Sequence, residues 1–169
     1  MRLAPSNWYA PTIQQVCRDY AARGVDCTLV YEDVDLSYRA RLAGYRCWYA
    51  PDALVRHAGS GTLGTTSAQA VYYGQRNLEW TWLKNTPGGL LLRTLAAHTI
   101  YSIAGIAHYI GRGRGAAAVR GKIAALLSLP RILRKRRIVQ RTRRVETRAV
   151  EALMERNWVA VKRREKSAR

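Results

Sequence analysis

Three acids, Glu32, Asp33 and Asp35, fall within four positions directly behind the apolar run Thr28 to Tyr31. A helical pattern follows, with Leu36, Ala40 and Ala43 at i, i+4 and i+7 on one face and Gly44 where such a helix would stop. Acids in a first helical turn face the positive end of the helix dipole, which favours their charged form. The spacing therefore predicts one or two ionised carboxylates at a strand-to-helix junction, the end of a sheet at which α/β enzymes take their ligands. A carboxylate held in this way can act as a general base. The plainer reading is that the same acids cap the helix and match its dipole.

The elements around the acids follow from pattern and punctuation. Ile13 to Ala22 reads as a short helix ended by Gly24. Tyr45 to Tyr49 reads as an aromatic strand, Pro51-Asp52 punctuates it, and Ala53 to Val55 resumes an extended run that delivers His57. The small polar stretch from Gly59 to Ser67 reads as a loop. Ser67 or Thr66 can cap a helix running through Tyr72, Arg76, Asn77 and Trp80 to Leu83, which Pro87-Gly88-Gly89 ends at a domain edge.

At this point the chain resembles the acceptor half of bacterial family-2 glycosyltransferases, and in particular the rhamnosyltransferase-like enzymes of cell-surface polysaccharide synthesis. The residues that carry the resemblance are Tyr31-Glu32-Asp33-Val34-Asp35-Leu36-Ser37-Tyr38-Arg39, Gly44-Tyr45-Arg46, Tyr49-Ala50-Pro51-Asp52-Ala53, His57 and Ser60-Gly61-Thr62, followed by Arg76-Asn77 and Lys84-Asn85. It covers Leu29 to Thr86 well and the basic helical tail more loosely.

The resemblance implies a partial α/β domain of the GT-A, nucleotide-diphospho-sugar transferase type, Rossmann-like, followed by a mostly helical basic tail. It divides the chain into an unassigned segment 1–28, an acceptor half 29–86 and a tail 87–169. It implies inverting transfer of a sugar such as rhamnose from a nucleotide-sugar donor to a lipid-linked or polysaccharide acceptor. Asp33 is then the catalytic base, with Glu32 shaping the site and Asp35 tying down the local backbone.

A nucleoside diphosphate leaving group is normally neutralised by Mg²⁺ or Mn²⁺ in the complete enzyme. The resemblance brings His57, 24 positions after Asp33, to that metal, and imidazole suits Mn²⁺ better than Mg²⁺. Arg76 and Asn77 are then candidates for a phosphate or the acceptor, against an ordinary helix-surface arginine. Trp80 is a candidate for stacking on a sugar ring, against core packing. Asp33-Val34-Asp35 also reads as Asp-x-Asp, the donor-side metal motif, but the order of helix, Gly44-Tyr45, aromatic strand, Pro51 and His57 fits the acceptor side instead. The family's nucleotide-binding half and its own Asp-x-Asp have no counterpart before Glu32, so the chain reads as the C-terminal portion of an enzyme, with little donor or metal binding expected of it alone.

Charge separates the two ends. Met1 to Ile110 carries 10 Lys/Arg against 7 Asp/Glu, and Gly111 onward carries 19 against 4, within a net charge of +18. Such asymmetry points to an anionic partner, a membrane surface or nucleic acid, or else to a solvated basic face. Leu90 to Ile110 is about the length of a bilayer-crossing helix. Its weakly polar stripe (Thr94, His98, Tyr101, Gly105, His108, Arg112) opposes Leu92, Leu95, Ile100, Ile103, Ile106 and Ile110, a pattern of an interfacial helix ahead of a core or spanning one. Gly111 to Gly115 reads as a basic hinge, Ala116 to Leu129 as a helix stopped at Pro130, and Arg131 to Arg144 as a basic stretch interleaved with Ile and Leu. Glu146 to Val161 continues the helical pattern. Without aromatic stacking platforms between Arg131 and Arg144, membrane is favoured over nucleic acid. Three cysteines without a Cys-x-x-Cys pair, and no apolar h-region after Met1, fit a cytoplasmic protein peripheral on the inner face of the membrane. A non-catalytic basic module that binds membrane or nucleic acid is the alternative to the enzyme.

Overall fold

The computed structural model describes residues 30–46 and 67–155, together with 157, 160 and 164. Among the described residues there are six helices and no strand: α1 (Glu32–Leu42), α2 (Ala68–Asn85), α3 (Gly88–Ile110), α4 (Gly115–Leu127), α5 (Leu129–Arg141) and α6 (Thr147–Glu151). The α/β, Rossmann-like GT-A domain is therefore corrected to a helical assembly. The local reason is visible just before α1. Val30 and Tyr31, the end of the expected strand, have φ of 68° and 72°, a left-handed conformation that no strand contains and that a β-branched valine adopts only when held there. Tyr45 and Arg46 belong to no regular element. The rest of the expected Tyr45–Tyr49 strand, the run Ala53 to Val55, the helix Ile13 to Ala22 and His57 lie outside the described residues.

Helix α2 is the axis of the assembly: α1, α4 and α5 pack on it, and α3 packs along α4. Ser67 caps it, its hydroxyl oxygen accepting the Ala70 N–H at 3.0 Å. The far end is closed by α5. Arg136 donates to the carbonyls of Leu83 and Thr86, and Gln140 donates to those of Lys84 (3.2 Å) and Asn85 (2.9 Å). These are the carbonyls a helix end leaves without partners, and the Arg136 cation also complements the negative end of the dipole. Pro130, expected to stop a helix, instead lies in the first turn of α5, where its missing N–H costs nothing. The preceding helix ends at Leu127, with Ser128 as its C-cap.

Helix α4 approaches α2 closely because its inner stripe is small: Ala118, Gly121 and Ala125 are buried. A Cβ on Gly121 would lie 2.5 Å from the Tyr72 carbonyl oxygen and 3.1 Å from Gln75 Cβ. Gly121→Ala is accordingly expected to destabilise the protein by about 1–3 kcal/mol through overpacking. Helix propensity alone would make the same change stabilising by about 1 kcal/mol, so the direction in which the urea midpoint moves decides between the two effects.

A polar node ties α2, α3 and α4 together. Glu79 accepts from His98 Nε2 at 2.7 Å, from the Ser102 hydroxyl at 2.8 Å and from the Lys122 ammonium. His98 also stacks on Trp82, with ring centroids 3.9 Å apart, and Trp82 Nε1 donates to Thr94 Oγ1 at 3.1 Å. Burial works to raise the Glu79 carboxyl, but the hydrogen bonds from His98 and Lys122 and their charges outweigh it and bring it from 4.5 down to about 2. A depressed carboxylate stabilises the fold above its unfolded value. That contribution should be complete above about pH 4.5 and lost as pH falls through about 2. Thermal midpoints measured across that interval should fall, and Glu79→Gln should flatten the decline; an unchanged slope in the variant would assign the acid sensitivity to other groups.

The apolar core lies at the other end of α1, where Leu42, Leu90 and Val150 are buried together with Tyr38, Val139, Val145 and Met154 against them. The Arg144 N–H donates to the Leu42 carbonyl at 2.8 Å, which joins the segment before α6 to the end of α1.

Candidate active site

Helix α1 carries the acids as the spacing predicts, but its inward face is different from the one the apolar pattern marks. Leu36 is 62 % exposed, whereas Asp35 is 2 % exposed and shares the buried side with Leu42. Asp35 is held from three directions. Lys84 Nζ donates to its Oδ2 at 2.9 Å, the Arg39 guanidinium pairs with the same oxygen at 3.1 Å, and Asn85 Nδ2 donates to its Oδ1 at 2.7 Å. Its role is larger than the local backbone tie expected of it: it fastens α1 to the C-terminal end of α2. Gly44 ends α1 in the left-handed region, with φ of +90°.

With Asp35 turned inward, Glu32 and Asp33 stand exposed in the first turn. Asp33 Oδ1 accepts the Val34 N–H at 2.7 Å. No side chain caps this helix at Tyr31, so the positive end of α1 faces these two acids. Tyr31 is pushed up to about 12 by burial, by the Tyr101 and Tyr109 phenols and by the Asp33 and Glu79 carboxylates, and it stays a neutral hydroxyl at physiological pH.

The Arg76-Asn77 pair lies one layer behind the acids. Asn77 is fully buried, at 0 % exposure, and its Nδ2 donates to the Val30 carbonyl at 2.9 Å. Arg76 Nε donates to Asn77 Oδ1 at 3.0 Å. Asn77 thus holds the left-handed turn from which α1 starts. The Arg76 guanidinium lies over three rings, Trp80 at 4.1 Å, Tyr73 at 4.8 Å and Tyr72 at 5.6 Å from the centroids. Trp80 is half-buried beneath this cation, so its ring is occupied by Arg76 on one side.

The structure joins Asp35 to Lys84 and Asn85, and Val30 to Asn77, across α1 and α2, with Glu32 and Asp33 exposed in the first turn of α1. Lys84 and Asn85 resemble the family but carry no role from their types alone; the signal that would have found them is the need of a buried Asp35 for a cation. Among the described residues no three His, Cys, Asp or Glu side chains come together to hold a metal ion, and His57, the ligand the resemblance implies, lies outside the described residues. Comparison with family models, curated proteins and solved structures finds no match.

Proposed function

We propose that this chain supplies the acceptor side of a family-2 glycosyltransferase, an inverting enzyme that passes a sugar such as rhamnose from a nucleotide-sugar to a lipid-linked or polysaccharide acceptor. One observation supports the reading: three of the motifs on which the resemblance rests, the acidic helix, Arg76-Asn77 and Lys84-Asn85, are joined by the Asp35–Lys84–Asn85 and Asn77–Val30 hydrogen bonds, with Asp33 exposed at a helix N-terminus.

In the reaction, the Asp33 carboxylate takes the proton of the acceptor hydroxyl. The hydroxyl oxygen forms a bond to the anomeric carbon, and the bond from that carbon to the nucleoside diphosphate breaks with its electron pair on the departing phosphate oxygen. A base in hydrogen-bond reach of the hydroxyl is what this step demands. Glu32, beside it, shapes the acceptor's approach, and the buried anchor keeps the first turn of α1 from shifting. Helix α1, not the end of a sheet, orients the base. The test is sugar transfer by an Asp33→Asn protein, in an enzyme assembled from this chain and a family-2 donor-binding half.

A second reading is favoured by the charge of the last third: a basic helical module with a polyanionic partner and no catalysis.

A further inference from the structure

Helix α3 is amphipathic in the reverse of the soluble sense. The first half of its polar stripe is turned inward, where Thr94 meets Trp82 and His98 and the neighbouring Ser102 meet Glu79, while Tyr101 and His108 are exposed further along. Its apolar residues are left outside, with Leu92 at 77 % and Ile100 at 66 % exposure, and Leu95, Ile103 and Ile110 exposed beside them. Helix α4 adds Ile123, Leu126 and Leu127, the last at 80 %. A helix with this arrangement in water would expose what it ought to bury. α3 is also the helix among those described whose length and composition suffice to cross a membrane.

We infer that the exposed apolar faces of α3 and α4, together with the outer arginines of α5, form a docking surface for an anionic lipid bilayer. Charge complementarity selects this occupant. Helix α5 follows α4 after the single residue Ser128 and exposes Arg131, Arg134, Arg137 and Arg141, while its inward Arg136 is committed to the end of α2. Leu133 and Ile138 are exposed among those arginines, which fits a headgroup boundary with phosphates above acyl chains and gives a nucleic acid nothing to stack on. The bonds from Thr94, His98 and Ser102 hold α3 lengthwise against α2, so it lies in the interface plane with the rest of the assembly on the aqueous side. Neither apolar insertion nor charge alone anchors a protein firmly, and here both are present. The inference does not rest on Asp33 acting as a base.

Flotation of the whole chain with vesicles tests it. Binding is expected to be strong to phosphatidylglycerol–phosphatidylcholine mixtures, weak to phosphatidylcholine alone, and reduced by salt without being abolished. Changing both Ile100 and Ile103 to Asp should lower partitioning at least tenfold with the circular dichroism unchanged, because both side chains are already exposed. Each of Arg131→Gln, Arg134→Gln and Arg137→Gln should lower it roughly fivefold. Leu36→Asp, an exposed leucine on α1, serves as the control and should leave it as it is. Equal binding to neutral and anionic vesicles, or binding indifferent to the isoleucine pair, would overturn the inference. So would tight binding to duplex DNA or RNA without vesicle binding, or self-association that persists when vesicles are added.

Discussion

Asp33→Asn is expected to lower sugar transfer by about 10²–10⁴-fold, the usual worth of a general base. Asn keeps the shape of the side chain and can still accept the Val34 N–H that Asp33 accepts at 2.7 Å, so the first turn of α1 should persist while the proton acceptor is lost. Donor affinity should hardly change, since the carboxylate acts on the acceptor hydroxyl. The comparison is made on turnover with saturating acceptor and on donor binding by calorimetry. Full turnover in the variant would remove Asp33 from the mechanism; loss of donor binding would relocate it to the donor side.

Asp35→Ala is the largest expected effect on stability. The carboxylate is buried, and so is Lys84, whose side chain is 5 % exposed. Removing one member of a buried pair strands the other, and the typical cost is about 3–5 kcal/mol. Asp35→Leu combined with Lys84→Met should recover much of it, because two apolar groups of similar size leave no buried charge uncompensated, and Arg39, at 35 % exposure, can turn its guanidinium to water. Chemical denaturation of the two single changes and the double one gives the coupling directly. Additive losses would mean that the pair is solvated and the joint between α1 and α2 is weak.

What the sequence discloses here follows the local physics. Ser67 as a cap, Gly44 as a stop and the length of α3 are legible because each depends on neighbours within a turn or two. The strand before Glu32 is misread because an apolar run such as Thr28 to Tyr31 does not reveal backbone sign; a buried asparagine 47 positions away from Val30 makes the left-handed turn. Asp35 is misread for a related reason. Periodicity marks Leu36, Ala40 and Ala43 as the inward face, but a cation on another helix reverses the choice by giving a carboxylate somewhere to go. Arg136 looks like one more member of a basic run until α2 offers it carbonyls. For the candidate site, the three acids are visible in the sequence, while the anchor that buries Asp35 and leaves Glu32 and Asp33 exposed is a matter of contacts between distant segments. His57 lies outside the described residues.

The hydrogen bond from Arg144 to Leu42, and the burial of Leu42 against Leu90 and Val150, set the order of events during synthesis. Translation runs from the N-terminus, so the helix bearing Glu32 and Asp33 leaves the ribosome about a hundred residues before the last of its packing partners has been made. An eleven-residue helix is marginal by itself in water. The joint between α1 and α2 can therefore form before the apolar end of α1 is covered, and a nascent chain stalled within α5 carries the Asp35–Lys84 pair without the Arg144 and Val150 contacts that close α1 at Leu42.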